Sequence, residues 1–278
     1  MPKVSVVIPV FNRAQLIGNS ARSVLAQSFT DLELIIVDDG STDGTAAALE
    51  ALQRTDARIR LVRHERNRGE AAARNTGIRA ACGEFIAHHD SDDIWLPQKL
   101  ERQVRFLESA PAETGLVYCS FRIHRGATVL DYPPEQVKQR QGRLHEVLIK
   151  GNFIGTPTVL MRRECFDKAG LFDEALPHLV DWDLWLRVSR EYSFGFVAEP
   201  LVEVYYQPQS VTADMRARLR ATEMVIRKYP ADFSRQGRQG RTENILADTY
   251  RGMARKAREH GYPFLALRYM WRWLSAAL

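Results

Sequence analysis

The sequence predicts an α/β fold, in which a mainly parallel sheet is flanked by helices and a helical extension follows at the C-terminus. Up to residue 107, short runs of β-branched residues alternate with amphipathic segments in the order βαβαβαβ. The runs at 3–10 and 32–37 are largely apolar, which is typical of parallel strands buried on both faces. With 278 residues, 45% of them hydrophobic, the chain is long enough to bury such a core.

Strands and helices are predicted in close succession along the first part of the chain. Strands are predicted at 3–10, 32–37, 59–62 and 84–89. Apolar residues at helical spacing predict helices at 16–27, 45–52, 69–81 and 97–107. Because a helix separates each pair of strands, we expect parallel strands joined by right-handed crossovers.

Beyond residue 109 the pattern is less regular. Strands are predicted at 115–121 and 156–161, a helix at 181–192, and a pair of strands at 194–198 and 201–206. The polar segment 122–143, which contains Pro133-Pro134, is expected to run over the surface. From residue 213 onward the sequence is predicted to be helical, with breaks near Pro230 and between Phe233 and Arg241.

Charge is distributed unevenly along the chain. Residues 213–278 carry 14 Lys and Arg against 6 Asp and Glu, whereas residues 1–212 carry 25 against 28. We therefore predict two parts, an α/β domain over 1–212 and a basic helical extension over 213–278. A basic segment can meet anionic lipid, nucleic acid or an acidic partner, although a solvated helical face is the commoner explanation.

The sequence predicts neither a membrane span nor a secretory signal. Its longest apolar runs, at 4–10 and 32–37, are far shorter than the roughly 20 residues that cross a bilayer. The N-terminus begins Met1-Pro2-Lys3 and lacks the apolar core of a signal peptide. We therefore expect a cytoplasmic protein.

Three carboxylates follow the predicted strand at 84–89. Asp90, Asp92 and Asp93 lie within four residues of one another. Side chains alternate along an extended segment, so Asp90 and Asp92 can face the same way and offer the oxygen ligands that Mg²⁺ or Mn²⁺ prefers. The alternative is a solvated turn that caps the next helix. Ligands of parallel sheets bind where the strands end, which favours the metal site.

A second acidic cluster, Asp38-Asp39-Gly40-Ser41-Thr42-Asp43, ends the strand at 32–37. One carboxylate there can accept hydrogen bonds from a nucleotide base or ribose, as an acidic residue after a strand does in dinucleotide-binding folds. Thr42 or Asp43 can instead cap the helix at 45–52. Capping accounts for one of these residues and leaves the others to be explained.

Five motifs occur in a fixed order: VSVVIPVFNR (4–13), VDDGSTDGT (37–45), NRGEAAARNTGI (67–78), HHDSDDIW (88–95) and VDWDLWLR (180–187). In this order and spacing they resemble the family 2 glycosyltransferases of GT-A fold. The resemblance covers about residues 3–212 and leaves the extension outside. It implies a Rossmann-like GT-A domain that transfers a sugar from a nucleotide-sugar donor with inversion.

The resemblance also implies how the donor nucleotide is held. In the family, residues at the end of the first strand cradle the base, and here these are Pro9, Val10, Phe11 and Asn12. The second acidic residue of the DDGS match, Asp39, pairs with the base.

The family's diphosphate and metal positions fall on two further motifs. The DSDD match implies that Asp92 is the main metal ligand, with Asp90 as a second ligand near the ribose or donor sugar and Ser91 between them. Arg68 and Arg74 both lie where the family often has a basic residue near the diphosphate, although Arg74 is equally compatible with a solvent-facing helix position. The implied cofactor is Mn²⁺ or Mg²⁺.

The VDWDLW match implies that Asp181 is the general base. A carboxylate opposite the leaving diphosphate can take the proton of an acceptor hydroxyl during attack, and one displacement then inverts the anomeric centre. A metal would offset the charge that develops on the leaving group. The alternative for Asp181 and Asp183 is a pair of charges favoured by the helix dipole, a role that suits Asp183 better.

Two positions depart from the family pattern. Gln207 stands where many relatives have a histidine near the metal, and an amide oxygen binds Mn²⁺ more weakly than imidazole. Val180 stands where many relatives have an acidic residue before the base. His88 and His89 precede the acidic cluster and point to opposite faces of a strand, so at most one reaches the site, and we expect His88 to pack in the core.

These expectations amount to a metal-dependent inverting transferase that acts on a UDP- or dTDP-linked sugar and a hydroxyl of a glycan or lipid-linked acceptor, in the synthesis of a bacterial surface polysaccharide. Two alternatives remain. A sugar nucleotidyltransferase would need a Gly-rich phosphate loop where this chain has Phe11-Asn12-Arg13. A catalytically silent partner of another transferase would bind nucleotide sugar without turnover.

The end of the chain combines aromatic and basic residues. The segment FLALRYMWRWLSAAL (264–278) is compatible with a helix on the inner face of an anionic membrane and equally with a helix docked on the catalytic domain. We expect no nucleic-acid partner, because aromatic and basic residues are not interleaved on a sheet or on a recognised helical motif.

Overall fold

The structure is a computed structural model, and it describes residues 1–205, 215–233 and 245–277. Nine strands in these ranges form one sheet: β1 (Val4–Val10), β2 (Leu32–Asp38), β3 (Ile59–Arg63), β4 (Phe85–His88), β5 (Ile94–Trp95), β6 (Thr114–Arg125), β7 (Thr128–Tyr132), β8 (Val159–Arg162) and β9 (Ser193–Tyr205). Their order is β3-β2-β1-β4-β8-β6-β9-β5, with β7 paired to β6. The four strands β3, β2, β1 and β4 are parallel, as predicted.

Helices cover both faces of this sheet. They are α1 (Ile17–Leu25), α2 (Thr45–Gln53), α3 (Glu70–Ala80), α4 (Lys99–Ser109), α5 (His145–Leu148), α6 (Glu164–Ala169), α7 (Val180–Glu191), α8 (Met215–Lys228), α9 (Pro230–Phe233), α10 (Ile245–Glu259) and α11 (Pro263–Ala277). One hydrophobic cluster joins the sheet to α1, α2 and α4, and a second joins its other face to α3 and to α5 through α11. The predicted α/β architecture with a helical C-terminal part is therefore confirmed.

The apolar composition of the central strands follows from this layering. Leu34 and Ile36 of β2 belong to one cluster, whereas Ile35 and Val37 belong to the other. All four are fully buried, because alternate side chains of a central strand enter opposite layers. A parallel sheet covered on both faces therefore needs apolar residues at every position.

A glycine sets the distance between α3 and the sheet. A Cβ atom at Gly77 would lie 2.3 Å from Cγ1 of Val7, in β1, which is closer than two carbon atoms can approach. The helix can therefore pack against β1 only with glycine at this position. Since α3 begins at the candidate site, its close packing also positions Glu70 and Arg74.

The predicted pair of strands at 194–198 and 201–206 is wrong. Residues 193–205 form the single strand β9, which runs parallel to β6. Glu199-Pro200 has the composition of a turn, but the register shifts between the pairs Cys119–Val197 and Ser120–Pro200, so these residues form a bulge. A bulge tolerates proline because the missing N–H costs no ladder hydrogen bond there.

The expected surface excursion at 122–143 is also partly wrong. The strand β6 continues to Arg125 and forms a hairpin with β7. Val129 and Leu130 are about half exposed, so β7 lacks the buried alternation by which strands are recognised from sequence. Proline residues 133 and 134 follow the hairpin.

The C-terminal helices pack against α7. The rings of Trp182 and Phe233 meet edge to face at 6.1 Å, and Arg190 forms an ion pair with Asp232. The predicted boundary at residue 212 lies among residues outside the described ranges, and it stays a prediction. Across those ranges, none of the helices combines the length and apolar composition that crossing a membrane requires.

Candidate active site

Hydrogen bonds connect the loop after β1 to the loop after β2 at one edge of the sheet. Oδ1 of Asn12 accepts a hydrogen bond from the backbone N–H of Thr42 at 2.9 Å, and the N–H of Asn12 donates to Oγ of Ser41 at 3.0 Å. Asn12 has a φ of 53°, in the left-handed region that Asn tolerates. Gly40 has a φ of 72°, and a Cβ atom there would lie 2.5 Å from the backbone of Arg66. The DDGS sequence therefore needs its glycine.

Asp39 lies at this edge with its carboxylate held from several sides. Oδ1 accepts from the backbone N–H of Arg68 at 2.9 Å, and Oδ2 accepts from that of Gly69 at 2.8 Å. Nδ1 of His64 lies 2.6 Å from Oδ1, and the other ring nitrogen lies 2.9 Å from Oγ1 of Thr76. The predicted partner of the base is thus an acceptor of fixed orientation.

The end of β1 lies against Asp39. The N–H of Asp39 donates to the carbonyl oxygen of Val10 at 2.8 Å. Val10 is buried and Pro9 is half-buried, whereas Phe11 is 40% exposed. An exposed aromatic ring beside a fixed acceptor offers a surface on which a planar base can stack.

Arg74, in α3, is buried and tied to acidic residues. Its Nε donates to Glu70 at 2.9 Å, Nη2 pairs with Asp90, and Nη1 lies 3.4 Å from the carbonyl oxygen of His89. The guanidinium is 1% exposed, so the alternative of a solvent-facing helix position is wrong. Arg74 instead fixes the orientation of Asp90.

Arg68 and Ser91 lie at the rim of the site. The Arg68 side chain is 48% exposed and approaches Glu174 at 3.6 Å, while its backbone N–H binds Asp39. Ser91 is half-buried between the two acidic residues of the DSDD motif. Of the two arginines predicted near the diphosphate, Arg68 is therefore the one with a side chain accessible to a ligand.

Asp90 and Asp92 lie in a negative environment. Burial raises the pKa of Asp90 to about 6, against the opposing charge of Arg74. Burial also raises the pKa of Asp92, with a contribution from Glu70, whereas Arg13 acts to lower that pKa. A cation would relieve this repulsion, so the pair fits a divalent ion.

Few side chains are placed here as metal ligands, which favours a cation that needs few ligands from the protein. Within the described ranges, no three His, Cys, Asp or Glu side chains are placed to ligate a metal together. Mg²⁺ in nucleotide sites is typically held by one or two carboxylates, with phosphate oxygens and water completing the shell. Asp90 and Asp92 match that arrangement.

Asp181 is the second residue of α7, which begins at Val180 directly after Leu179. Leu179 has a φ of 58°, and this left-handed residue turns the chain into the helix. Oδ2 of Asp181 accepts from Nδ2 of Asn152 at 2.8 Å, and Oδ1 accepts from the N–H of Trp182 at 2.8 Å. Burial raises the pKa of Asp181, and the charge of Glu70 adds to this effect. A carboxylate with a raised pKa is better matched to accepting a proton near neutral pH.

Glu70 acts on both the acidic pair Asp90 and Asp92 and the predicted base Asp181. Its negative charge contributes to raising the pKa of Asp90, of Asp92 and of Asp181. The acidic pair and the predicted base are therefore grouped around the N-terminus of α3. Neither Glu70 nor Arg13 was predicted as a site residue, although Glu70 stands at a helix start and Arg13 follows a strand, both within family motifs.

Asp183 has a different role from Asp181. It is fully buried, and its carboxylate accepts from Arg187 Nη2 at 2.9 Å and from the Tyr229 hydroxyl at 2.6 Å. Nζ of Lys228 lies 2.7 Å from the same carboxylate. Asp183 therefore joins α7 to α8, which goes beyond the helix-dipole role expected from sequence.

Both histidines before the acidic cluster are buried. His88 packs edge to face on Phe172 at 5.1 Å between ring centroids, which confirms its predicted place in the core. His89 packs on Trp95 at 4.5 Å. Burial lowers the pKa of both rings well below the usual range, so both are neutral at pH 7. Gln207 lies outside the described residues.

A sheet of this topology, with carboxylates grouped at one edge, is the GT-A type of transferase fold. The mannosyltransferase PcManGT from Pyrobaculum calidifontis, solved in complex with GDP-Man and Mn²⁺, superposes with a TM-score of 0.67 at 21% sequence identity, over 99% of this chain and 73% of that one. The predicted GT-A fold is therefore confirmed.

Residues 5–170 match the family model of glycosyl transferase family 2, and the chain belongs to this family. The family prediction from the five motifs is thereby confirmed. The chain is 32% identical over 196 residues to WfgD of Escherichia coli, a UDP-Glc:alpha-D-GlcNAc-diphosphoundecaprenol beta-1,3-glucosyltransferase, covering 70% of this chain and 72% of WfgD. An uncharacterized glycosyltransferase of Rickettsia conorii is 33% identical over 211 residues, which are 73% of this chain but only 32% of that protein.

Proposed function

We propose that the protein is a metal-dependent inverting glycosyltransferase. It moves a sugar from a UDP- or dTDP-linked donor to a hydroxyl of a glycan or lipid-linked glycan, in the synthesis of a bacterial surface polysaccharide. The proposal rests mainly on the grouping of Asp181 with Asp90 and Asp92 around Glu70. A proton acceptor and the carboxylates of a diphosphate site then border the same space.

The donor nucleotide is held at the edge formed by β1 and β2. Phe11 stacks on the base, Asp39 accepts its ring N–H, and Pro9, Val10 and Asn12 shape the surrounding loop. The fixed carboxylate of Asp39 and the exposed ring of Phe11 support this assignment. A uridine donor also agrees with the UDP-Glc in the name of the relative WfgD.

The diphosphate of the donor is held beside Arg74, at the acidic pair Asp90 and Asp92. Asp92 and Asp90 would hold Mn²⁺ or Mg²⁺, which supplies charge compensation for the leaving diphosphate. Arg74 keeps Asp90 in place, Ser91 lies beside it, and the exposed Arg68 side chain contacts a phosphate. The sugar then lies between this group and Asp181.

Asp181 acts as the general base. Asn152 and the N–H of Trp182 orient its carboxylate, which takes the proton of the acceptor hydroxyl as that oxygen attacks the anomeric carbon. General base catalysis of this kind contributes about 10²–10⁴ in rate. Attack from the side opposite the diphosphate inverts the anomeric centre in a single displacement.

We assign these steps to residues 1–212 and a membrane-facing role to the extension 213–278. In α11, four large apolar side chains are more than half exposed on one face, namely Phe264, Leu267, Trp271 and Leu274. Arg268 and Arg272, at the border of this face, pair with Glu223 of α8. A helix of this kind suits peripheral contact with the inner face of an anionic membrane, and a diphosphoundecaprenol acceptor in a relative supports a lipid-linked acceptor.

A panel of nucleotide sugars, each with and without Mn²⁺, tests the proposal. Binding is read as a thermal shift, since a ligand that binds the folded state raises its stability, and turnover is read as released nucleoside diphosphate. We expect one uridine or thymidine donor to stabilise the protein only with metal and to be hydrolysed slowly. Absence of any response across the panel would refute the assignment.

Two variants separate this function from its alternatives. Asp181→Asn should keep the donor-induced thermal shift and lose release of nucleoside diphosphate, and normal turnover in that variant would exclude Asp181 as the base. A silent partner protein would show binding without turnover in the unchanged chain. A nucleotidyltransferase would release pyrophosphate from a nucleoside triphosphate and a sugar phosphate.

A further inference from the structure

A cavity of about 600 Å³ opens between the α/β part of the chain and the C-terminal helices, and it reaches Asp181 through two residues that bind the Asp181 carboxylate. Asn152 and Trp182, which both donate to the Asp181 carboxylate, line this cavity. Its opposite wall comes from α8 and α10. The described lining does not include Asp39 or Asp92, so the cavity is separate from the donor-side residues.

The cavity is lined by an excess of positive charge. Its cationic residues are Lys150, Arg218, Arg255 and Lys256, and no acidic residue belongs to its described lining. Arg255 lies 3.8 Å from Glu259. Within the described ranges, neither Arg218 nor Lys256 has an acidic partner within salt-bridge distance.

The charges of Arg218 and Lys256 act on the same space. Arg218 is half-buried, and its charge acts to lower the pKa of Asp181, in α7. Partial desolvation lowers the pKa of Lys256, although the residue is exposed, and the charges of Arg218 and Arg255 lower this pKa further, against the charge of Glu259. Cations that repel one another in a cavity are stabilised when an anion binds between them.

The apolar residues of the cavity indicate what kind of chemical group is attached to the anion. Tyr132, Leu179 and Trp182 lie on the side of Asp181, and Met215, Leu219 and Met253 lie on the side of the helices. These side chains can pack against a sugar ring or an alkyl chain. A phosphate fits several cations better than a single carboxylate does, because it carries more negative charge and has more acceptor oxygens to share between them.

We infer that this cavity binds a phosphate or diphosphate group of the acceptor, held by Arg218 and Lys256, and so presents an acceptor hydroxyl to Asp181. The inference rests on the proposed function, since it concerns the second substrate of the same site. It makes the acceptor a phosphorylated molecule, either a lipid-linked glycan or a soluble phosphorylated glycan.

The test is the binding of inorganic pyrophosphate to the full chain, measured by titration calorimetry in EDTA. EDTA removes the metal on which the donor site is proposed to depend. The paired variant Arg218→Gln with Lys256→Gln should weaken binding by at least about tenfold, which corresponds to about 1.4 kcal/mol for two lost charge-assisted contacts.

The matched control removes the same charge from the same helices outside the cavity. Arg216→Gln with Arg258→Gln, both exposed and absent from the cavity lining, should leave pyrophosphate affinity close to that of the unchanged chain. The charge-preserving pair Arg218→Lys with Lys256→Arg should retain most of the affinity. If the glutamine pair fails to fold, the single variant Lys256→Gln, at an exposed side chain, carries the test, and unchanged pyrophosphate affinity in it would overturn the inference.

Equal weakening by the cavity pair and the control pair would overturn the inference, because it would show only a diffuse basic surface. Absence of pyrophosphate binding to the unchanged chain would overturn it as well. Farnesyl diphosphate in the same titration distinguishes the two sources. Tighter binding than pyrophosphate, lost in the cavity pair, indicates a lipid-linked acceptor, whereas equal binding indicates a soluble phosphorylated one.

Failure of the inference is distinguishable from failure of the proposed function. Donor binding and release of nucleoside diphosphate are measured on the unchanged chain without any acceptor. A chain that hydrolyses a nucleotide sugar but binds pyrophosphate without dependence on Arg218 and Lys256 retains the function and loses the inference. A chain that binds pyrophosphate through Arg218 and Lys256 but hydrolyses no nucleotide sugar supports the anion site and contradicts the proposed function.

Discussion

Asp181 and Asp183 stand two residues apart in α7, and replacing each by asparagine should have opposite consequences. Asp183 is fully buried among Arg187, Lys228 and Tyr229. Asp183→Asn keeps the shape of the side chain but removes its charge, so Arg187 loses its ion-pair partner and Lys228 keeps only Asp173, 2.6 Å from its Nζ. This variant should be strongly destabilised.

The size of the effect follows from the burial of each partner. Removing one member of a buried ion pair costs about 3–5 kcal/mol. The side chains of Arg187 and Lys228 are 17% and 34% exposed, so water compensates part of the loss, and the lower end of about 3 kcal/mol applies. At about 2–4 °C per kcal/mol for a protein of this size, the Tm should fall by about 6–12 °C.

Asp181→Asn is the matched control and carries a prediction of its own. The folded protein raises the pKa of Asp181 above its value of 3.8 in the unfolded chain, so the ionised carboxylate disfavours folding at any pH above that value. Asparagine removes this cost, and the Tm at pH 7 should equal or exceed that of the unchanged chain. Thermal unfolding followed by circular dichroism at pH 7 measures both variants. A stable Asp183→Asn, or an Asp181→Asn as unstable as Asp183→Asn, would contradict the distinct roles assigned to the two residues.

Three further variants test other parts of the structure. Asp92→Asn should abolish the Mn²⁺-dependent thermal shift with nucleotide sugar, and an unchanged shift would exclude Asp92 as a metal ligand. Gly77→Ala places a Cβ atom 2.3 Å from Val7, so chemical denaturation should show a loss of about 1–3 kcal/mol, and an unchanged midpoint would contradict the close packing of α3. Burial raises the pKa of Tyr229 from 10 to about 12, so its contribution to stability is complete below pH 10 and is lost as the pH rises towards 12. Tyr229→Phe should therefore remove that part of the alkaline loss of stability, as seen in Tm against pH.

The parallel half of the fold was predictable because its signal is local. Each run of apolar residues at 3–10 and 32–37 coincides with a strand, and the intervening helices show their apolar spacing. The strand β9 was not predictable in one piece, because a bulge at Glu199-Pro200 has the composition of a turn. The hairpin strand β7 was missed because it is mostly exposed.

In the candidate site, too, the residues with a local sequence signal were predictable and those that depend on distant contacts were not. Asp39 and the acidic pair were found because they follow strands, and such positions meet at one edge by topology alone. The burial of Arg74 was not predictable, because it depends on Asp90, sixteen residues away in the sequence. The cavity beside Asp181 forms only when α8 and α10 fold back towards α7, and no local sequence pattern predicts such a contact.

The way Asp39 is held has a consequence for which nucleotides this chain can select. Two backbone N–H groups and a histidine ring already orient the carboxylate, so ligand binding freezes no further side-chain rotation and loses little entropy there. A carboxylate only accepts hydrogen bonds, and uracil, thymine and guanine present a ring N–H where cytosine and adenine present a lone pair. Under the proposed function, nucleobase choice is thus set by the protonation pattern of one ring nitrogen, independently of whichever residues choose the sugar.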